Sequence, residues 1–459
     1  MTHEALGLLG MDAGFVAAGQ AFLVGLGLVR EPRAALRWLA LSLVVGWAAA
    51  EIAVSIALMA GLDLSVALVV VLLGLLVGAG LILALVVPAR PARPLLGERS
   101  RLGRAIAAAG ALVLVFALVE LCRRALSSGP FNNDVWAFWL PKAKTISYFG
   151  GLDTHVGGFT SYPHADYPPL LPASEATSFE FMGAVDPLLL PIQHWVLAVG
   201  FLGGLGALLG NRVRPAVLWP SLAMLLLVPT FDNFVGSGLG EEPLVELFTL
   251  AVAASALWLL DPEPRKAALC GLFLAAAVLT KNEGLMLAIA LLVMLVATGR
   301  PRRSYRTLAG LTAAPALAFA SWRIWLSANH VPVVDRDFRL QDVFHFGYLG
   351  DRTDRLRIAL GAMPRALFDP ANLLLSVPLA LGLIAILLLA GRARRLAALS
   401  LGTIVLVFFG YALIYWIGIP DIHFYLDSTD IRLMTDVALP AAVLFPLLLT
   451  EALAAARRE

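Results

Sequence analysis

Five short stretches of this chain concentrate the residues that can do chemistry. The first runs over 131–144, where Asn132, Asn133 and Asp134 lead into Trp136, Phe138, Trp139, Pro141, Lys142 and Lys144. A carboxylate set among aromatic rings and beside two lysines can serve as general base toward a hydroxyl. The same residues also suit an interfacial aromatic belt with a helix-capping Asp. The second stretch, 161–172, places Tyr162, His164, Asp166 and Tyr167 among Pro163, Pro168, Pro169 and Pro172. His164 and Asp166 stand two apart, so on an extended backbone they share a face. They can bind a cation, orient a phosphate or pair with each other, and two donors are too few to name a metal.

The third stretch is Thr280, Lys281, Asn282, Glu283 and Gly284, lying between apolar runs at 267–280 and 284–298. At 1.5 Å per residue each run spans about 21–23 Å, against a hydrocarbon core of about 30 Å. Lys281 and Glu283 are thus expected below the membrane surface, facing a polar cavity or pairing at a tight hairpin. The fourth is Glu241, Glu242 and Glu246. Glu242 and Glu246 are i and i+4 and share a helix face, which suits a common cavity, a cation or sugar hydroxyls, or else an acidic helix start. The fifth, 423–432, ends in Arg432, whose guanidinium can fork onto a phosphate or carboxylate; Asp427, Asp430 and Asp436 are nearby partners.

The elements that must position these residues follow from composition. Of 459 residues, 60% are hydrophobic and 14% charged, with a net charge of +2, and the mean hydropathy is +0.84. That balance excludes a soluble globular domain, a disordered chain and a nucleic-acid binder, and it defines an all-α polytopic membrane protein. Apolar segments at 13–29, 38–60, 65–88, 105–122, 188–209, 215–231, 243–260, 267–280, 284–298, 307–327, 372–391, 396–418 and 434–454 predict about thirteen crossings. Every second loop is rich in arginine, including Arg30, Arg33, Arg37, Arg90, Arg93, Arg300, Arg302, Arg303, Arg457 and Arg458. By the positive-inside rule the N-terminus is expected outside and the C-terminus in the cytoplasm, in a bacterial-type inner (plasma) membrane. The long connections 123–187 and 328–371 then lie outside, and any chemistry with them. Residues 350–368 read as an amphipathic helix on the membrane surface, with Leu356, Leu360, Met363 and Leu367 on one face. Cys122 and Cys270 fall at opposite depths and are not expected to bridge. The start of the chain lacks a basic n-region, so no cleavable signal peptide is expected. No matched pair of broken helices relates the two halves, which counts against an inverted-repeat transporter.

In this order the motifs resemble the GT-C superfamily of integral-membrane glycosyltransferases that use polyprenyl-phosphate sugars, in the manner of bacterial family 39/83-like members. Asp134 matches the acid that follows a helix in the first long outer loop. Residues 136–142 are similar to an aromatic-Pro-Lys continuation, and Tyr167, Pro168, Pro169 and Leu170 to a Tyr-Pro-Pro-Leu turn. Lys281 to Gly284 resembles a Lys-x-x-Gly element, and Arg432 a basic residue before the last helix. The resemblance covers about 105–440. It implies a GT-C-like core at 105–459, with short amphipathic helices in the first extracytoplasmic loop, preceded by extra transmembrane helices at 1–104. The chain departs from the family in having Asn132, Asn133 and Asp134 where many members carry two adjacent acids.

The activity so implied is inverting transfer of a hexosyl or pentosyl group from a polyprenyl-phosphate donor to an acceptor hydroxyl on the extracytoplasmic face. Asp134 is the catalytic base. Lys142, Lys281 and Arg432 bind the donor phosphate. His164, Asp166, Tyr167, Glu241, Glu242, Glu283, Trp136 and Trp139 contact sugar, acceptor or a cation. The acceptor is a lipid, glycan or protein. No cofactor is demanded, though a divalent cation, Mg or Mn, fits the acidic residues. The alternatives from the residues alone are a transporter or flippase of a lipid-linked or anionic substrate, or an O-antigen-type polymerase or ligase.

Overall fold

The computed structural model describes residues 3–29, 32–88, 94–130, 132–299, 301–332 and 338–456. Phe131 and the loop residues Arg30, Arg90, Arg93, Arg300, Arg457 and Arg458 lie outside them, as do the side chains of Arg33, Arg302 and Arg303. Among the described residues the fold is all-helical; the β pairing there is a single bridge between Phe338 and Gly418.

Each apolar segment falls on a helix. In chain order the longer helices are α1 (His3–Gly25), α2 (Leu39–Met59), α3 (Val66–Val86), α4 (Arg101–Ser127), α5 (Leu140–Phe149), α6 (Leu170–Met182), α7 (Leu190–Leu209), α8 (Pro215–Leu226), α9 (Glu241–Leu260), α10 (Pro264–Thr280), α11 (Glu283–Thr298), α12 (Pro301–Ala328), α13 (Thr353–Leu367), α14 (Ser376–Leu389), α15 (Arg394–Ile417) and α16 (Ile422–Ala456). Eight helices among the described residues are long and apolar enough to cross a membrane, namely α1–α4, α7, α9, α15 and α16. The protein is therefore a polytopic helical membrane protein. Eight of the thirteen expected crossings meet length and composition among the described residues; of the other five, α8, α11 and α14 are apolar but short, α10 has only 17 residues, and the 28-residue α12 is not among the eight.

Two boundaries differ from the hydropathy reading. Helix α1 begins at His3 rather than 13, since the Asp12 side chain is hydrogen-bonded by Gln193 of α7 and does not interrupt it. Helix α16 begins at Ile422 rather than 434. Asp421 caps it, accepting from the amides of His423 at 3.0 Å and Phe424 at 3.1 Å, and the Ser428 and Thr429 hydroxyls bond back to carbonyls of the preceding turn. Arg432 thus stands inside a helix rather than in a loop.

Helix α9 is the axis of the bundle, with 89% of its apolar window buried against 17% for α3 and 28% for α4. It packs against α7, α10, α11, α15 and α16. The extra N-terminal helices are welded together by small residues. A Cβ on Gly19 would lie 1.8 Å from the Ser42 carbonyl oxygen, and one on Gly46 1.7 Å from that of Phe15. Backbones this close are how helices associate where water supplies no driving force.

The described residues of the connection 123–187 carry α5 and α6. The amphipathic helix of the second connection is α13; it packs on α15 and α16 through Met363 and Leu367, which are buried, while Leu360 of the same apolar face is exposed. Arg355 ties it down, donating to the carbonyls of Tyr415 at 3.2 Å and Pro420 at 2.7 Å. The expected surface-lying helix is a docked one. Cys122 and Cys270 are unbridged.

Candidate functional site

Five chain-distant segments meet around one cavity, whose walls include Asp134, Phe138, Trp139, His164, Tyr167, Glu241, Lys281, Glu283, Tyr425, Thr429 and Arg432. Asp134 stands at the head of a widened turn, 135–139, in which the Leu140 amide reaches back to the Val135 carbonyl. Pro141 lacks the amide that a regular helix would use there, and such i→i+5 turns occur often at functional sites. The Asp134 amide donates to Asn132 Oδ1 at 3.0 Å, which fixes the turn's entry.

The charges form one network. Arg432 donates to Asp134 Oδ2 at 2.9 Å and, through Nε, to Glu241 Oε1 at 3.0 Å. Lys281 Nζ lies 3.1 Å from Glu241 Oε1 and 2.9 Å from Glu283 Oε1. Glu241 is thus the pivot, shared by both cations, and it is nearly inaccessible. Lys281 reaches it because the chain leaves α10 in an extended conformation at that residue. Gly284 allows the return: a Cβ there would sit 2.0 Å from the Ala277 carbonyl oxygen. Arg432 takes Glu241 and Asp134 as partners rather than Asp427, Asp430 or Asp436; the Asp436 carboxylate accepts from the Tyr411 hydroxyl.

An aromatic wall faces this network. The rings of Phe138, Trp139, His164 and Tyr167 stand 4.6–6.0 Å apart in successive pairs, and Lys281 Nζ is 5.9 Å from the Tyr167 ring centre. His164 is held at φ +55°, a left-handed conformation that is uncommon for a residue with a side chain.

Several expected site residues are elsewhere. Lys142 is fully buried behind the wall, where its amine donates to the His164 carbonyl oxygen and approaches the Phe159 ring at 5.0 Å. It braces the strained His164 turn and does not face the cavity. Asp166 is buried too, accepting from Asn282 at 3.0 Å, while its carbonyl accepts from the Trp322 indole at 2.8 Å. These bonds tie the 161–172 turn to the Lys281 hairpin. Trp136 points away, half exposed, its indole bonded to the Pro130 carbonyl. Glu242 and Glu246 share a helix face as expected, but that face looks toward His194 of α7 and away from the cavity. Adjacent residues on a helix differ by about 100°, so Glu241 and Glu242 serve different surroundings. Among the described residues no three His, Cys, Asp or Glu converge as a metal shell, and the cavity's three carboxylates are each drawn to Lys281 or Arg432.

Tyr425 and Thr429 complete the wall from α16. Their spacing to Arg432 puts all three on one helical face, a signal hidden when 423–432 is taken as a loop. Tyr415 supports them: its hydroxyl is 2.8 Å from Thr429 Oγ1, and its ring centre is 5.1 Å from that of Tyr425.

The burial of Lys142 has a measurable consequence. Desolvation pushes its ammonium down from the usual 10.5 to about 7, with the Asp166 charge opposing. Between those values the unfolded chain holds the proton and the folded chain releases it, so stability rises with pH across this window and gains nothing below it. The melting midpoint of the wild type is expected to gain between pH 7 and 9. Lys142→Met should lose that gain, and parallel pH profiles for the two proteins would contradict the assignment.

No family model, curated protein or solved structure matches the chain. Its functional reading therefore stands on its residues and their geometry.

Proposed function

We propose that the protein is an inverting glycosyltransferase moving a sugar from a polyprenyl-phosphate donor to an acceptor hydroxyl on the extracytoplasmic side of the membrane. One observation supports this above the others: Asp134, Lys281 and Arg432, three of the four residues the resemblance implies as base and phosphate ligands, come from segments far apart in the chain and meet in one cavity, while the fourth, Lys142, lies behind its wall.

The cavity's two cations, Lys281 and Arg432, are already engaged by three carboxylates, Asp134, Glu241 and Glu283. A donor phosphate enters by replacing a carboxylate at Arg432. The arm on Asp134 is the one to yield, because the Asp134 side chain is far more exposed than that of Glu241 and Glu241 is held by Lys281 as well. Donor binding thereby frees Asp134 Oδ2 as base. The acceptor oxygen attacks the anomeric carbon, Asp134 takes its proton, and the C–O bond to phosphate breaks with its electron pair leaving on polyprenyl phosphate. The rings of Trp139, Tyr167 and His164 hold the sugar face, and Glu283 accepts from its hydroxyls.

The test is transfer in reconstituted vesicles from a panel of labelled polyprenyl-phosphate sugars to a crude lipid and glycan extract, beside a binding assay with polyprenyl phosphate. Arg432→Ala is expected to raise the half-saturating donor concentration by at least an order of magnitude, since a charge-assisted bidentate contact is worth about 1.5–3 kcal/mol. Donor binding without transfer from any sugar would move the assignment to a transporter of lipid-linked substrates.

A further inference from the structure

A second cluster of ionisable groups lies on the other side of Glu241's neighbour. His194 Nδ1 of α7 is 3.0 Å from Glu242 Oε2 of α9, and its Nε2 is 3.7 Å from Glu175 Oε1 of α6. Glu246, one turn along α9, interacts with both Glu242 and His194. All four residues are more than nine-tenths buried. The gathered carboxylates are poorly served by donors: Glu242 accepts from the Gly236 amide at 3.1 Å, whereas both oxygens of Glu175 and both of Glu246 accept no hydrogen bond. Among the described residues no lysine or arginine forms an ion pair with any of the three.

Glu175 and His194 also line a separate small cavity. Its opposite wall is built by the N-terminal helices, with Asp12 and Phe15 from α1 and Trp47 from α2. Two bonds lock that wall to the core, Trp47 Nε1 to Ser174 Oγ at 2.8 Å and Gln193 to Asp12. The titratable groups facing this cluster are Asp12 from α1, Glu175 from α6, His194 from α7 and Glu242 and Glu246 from α9. Glu51 of α2 is buried nearby in the fold, against Thr177 of α6.

Three carboxylates around one imidazole leave two negative charges even when the imidazole is protonated. A buried charge left uncompensated is costly, and such a group takes up or gives off a proton instead. Among the described residues no three of these groups are placed to hold a metal ion. We infer that Glu175, His194, Glu242 and Glu246 form a buried proton-binding site, supplied with water through the cavity that the N-terminal helices close against the core. Its ligand is the exchangeable proton. The site gives those helices a role, and its occupancy sets the field one residue from Glu241, which holds Lys281 and Arg432. The inference stands apart from the glycosyltransferase reading.

Infrared difference spectroscopy on the full chain in lipid nanodiscs tests it. The wild type is expected to show the carbonyl stretch of protonated carboxyl groups, varying with pH between about 5 and 8, where histidine titrates, and moving to lower frequency in heavy water. Glu175→Gln and Glu246→Gln should each remove one carboxyl's share of that band, and His194→Gln should shift the pH at which the remainder changes. A wild-type band that ignores pH or heavy water would overturn the proposal without any variant. So would equal bands in the wild type and a folded variant, or a band abolished by Na⁺ or Mg²⁺ at constant pH, which would mean a metal site.

Discussion

Asp134→Asn is expected to lower sugar transfer by about 10²–10⁴-fold, the usual contribution of a positioned general base, with donor binding kept or tightened. The substitution keeps the shape of the side chain and removes its charge. In the resting site that charge is engaged by Arg432 at 2.9 Å, so its loss leaves the guanidinium more available to phosphate. A variant that binds polyprenyl phosphate at least as well as the wild type, yet fails to transfer, separates the base from the phosphate ligands. Unchanged transfer by Asp134→Asn would remove Asp134 from the chemistry.

The second large effect is expected at Glu241. Glu241→Gln takes away the anion shared by Lys281 and Arg432. Breaking a buried pair on one side typically costs about 3–5 kcal/mol, so the melting midpoint should fall steeply. The two bared cations should then favour an added anion. Polyprenyl phosphate is expected to raise the midpoint of Glu241→Gln by more than it raises that of the wild type. If phosphate stabilises the wild type and the variant equally, Glu241 does not set the charge of this cavity. If it stabilises neither, the cavity is no phosphate site.

How much of this was written in the sequence differs from residue to residue. Hydropathy found every long helix, because spacing between polar loops is a strong signal. It misplaced the starts of α1 and α16, where polar residues are satisfied by partners that only the fold supplies, Gln193 for Asp12 and the helix's own carbonyls for Ser428 and Thr429. Asp134, Lys281, Glu283 and Arg432 were legible as charges that an apolar chain does not carry idly. Their grouping around Glu241 was not, since it joins residues up to 298 positions apart. The placement of Lys142 was hidden for a different reason. A lysine next to an aromatic motif reads as a ligand, and only packing shows it turned inward to hold the His164 carbonyl. Glu175 and His194 were not singled out, because neither belongs to a motif and only the folded chain brings them together.

The Arg432 bridge also bears on how the chain is made. Asp134 and Glu241 are made long before Arg432, and the guanidinium that joins them is carried on α16. Until that helix docks, the nascent bundle holds Lys281 as the sole cation of the network against three carboxylates. A chain cut short before Arg432 would keep most of its apolar surface and its early helices, yet carry an acidic pocket with nothing to close it. Completion of this one contact therefore reports that α16 has docked against the segments made before it.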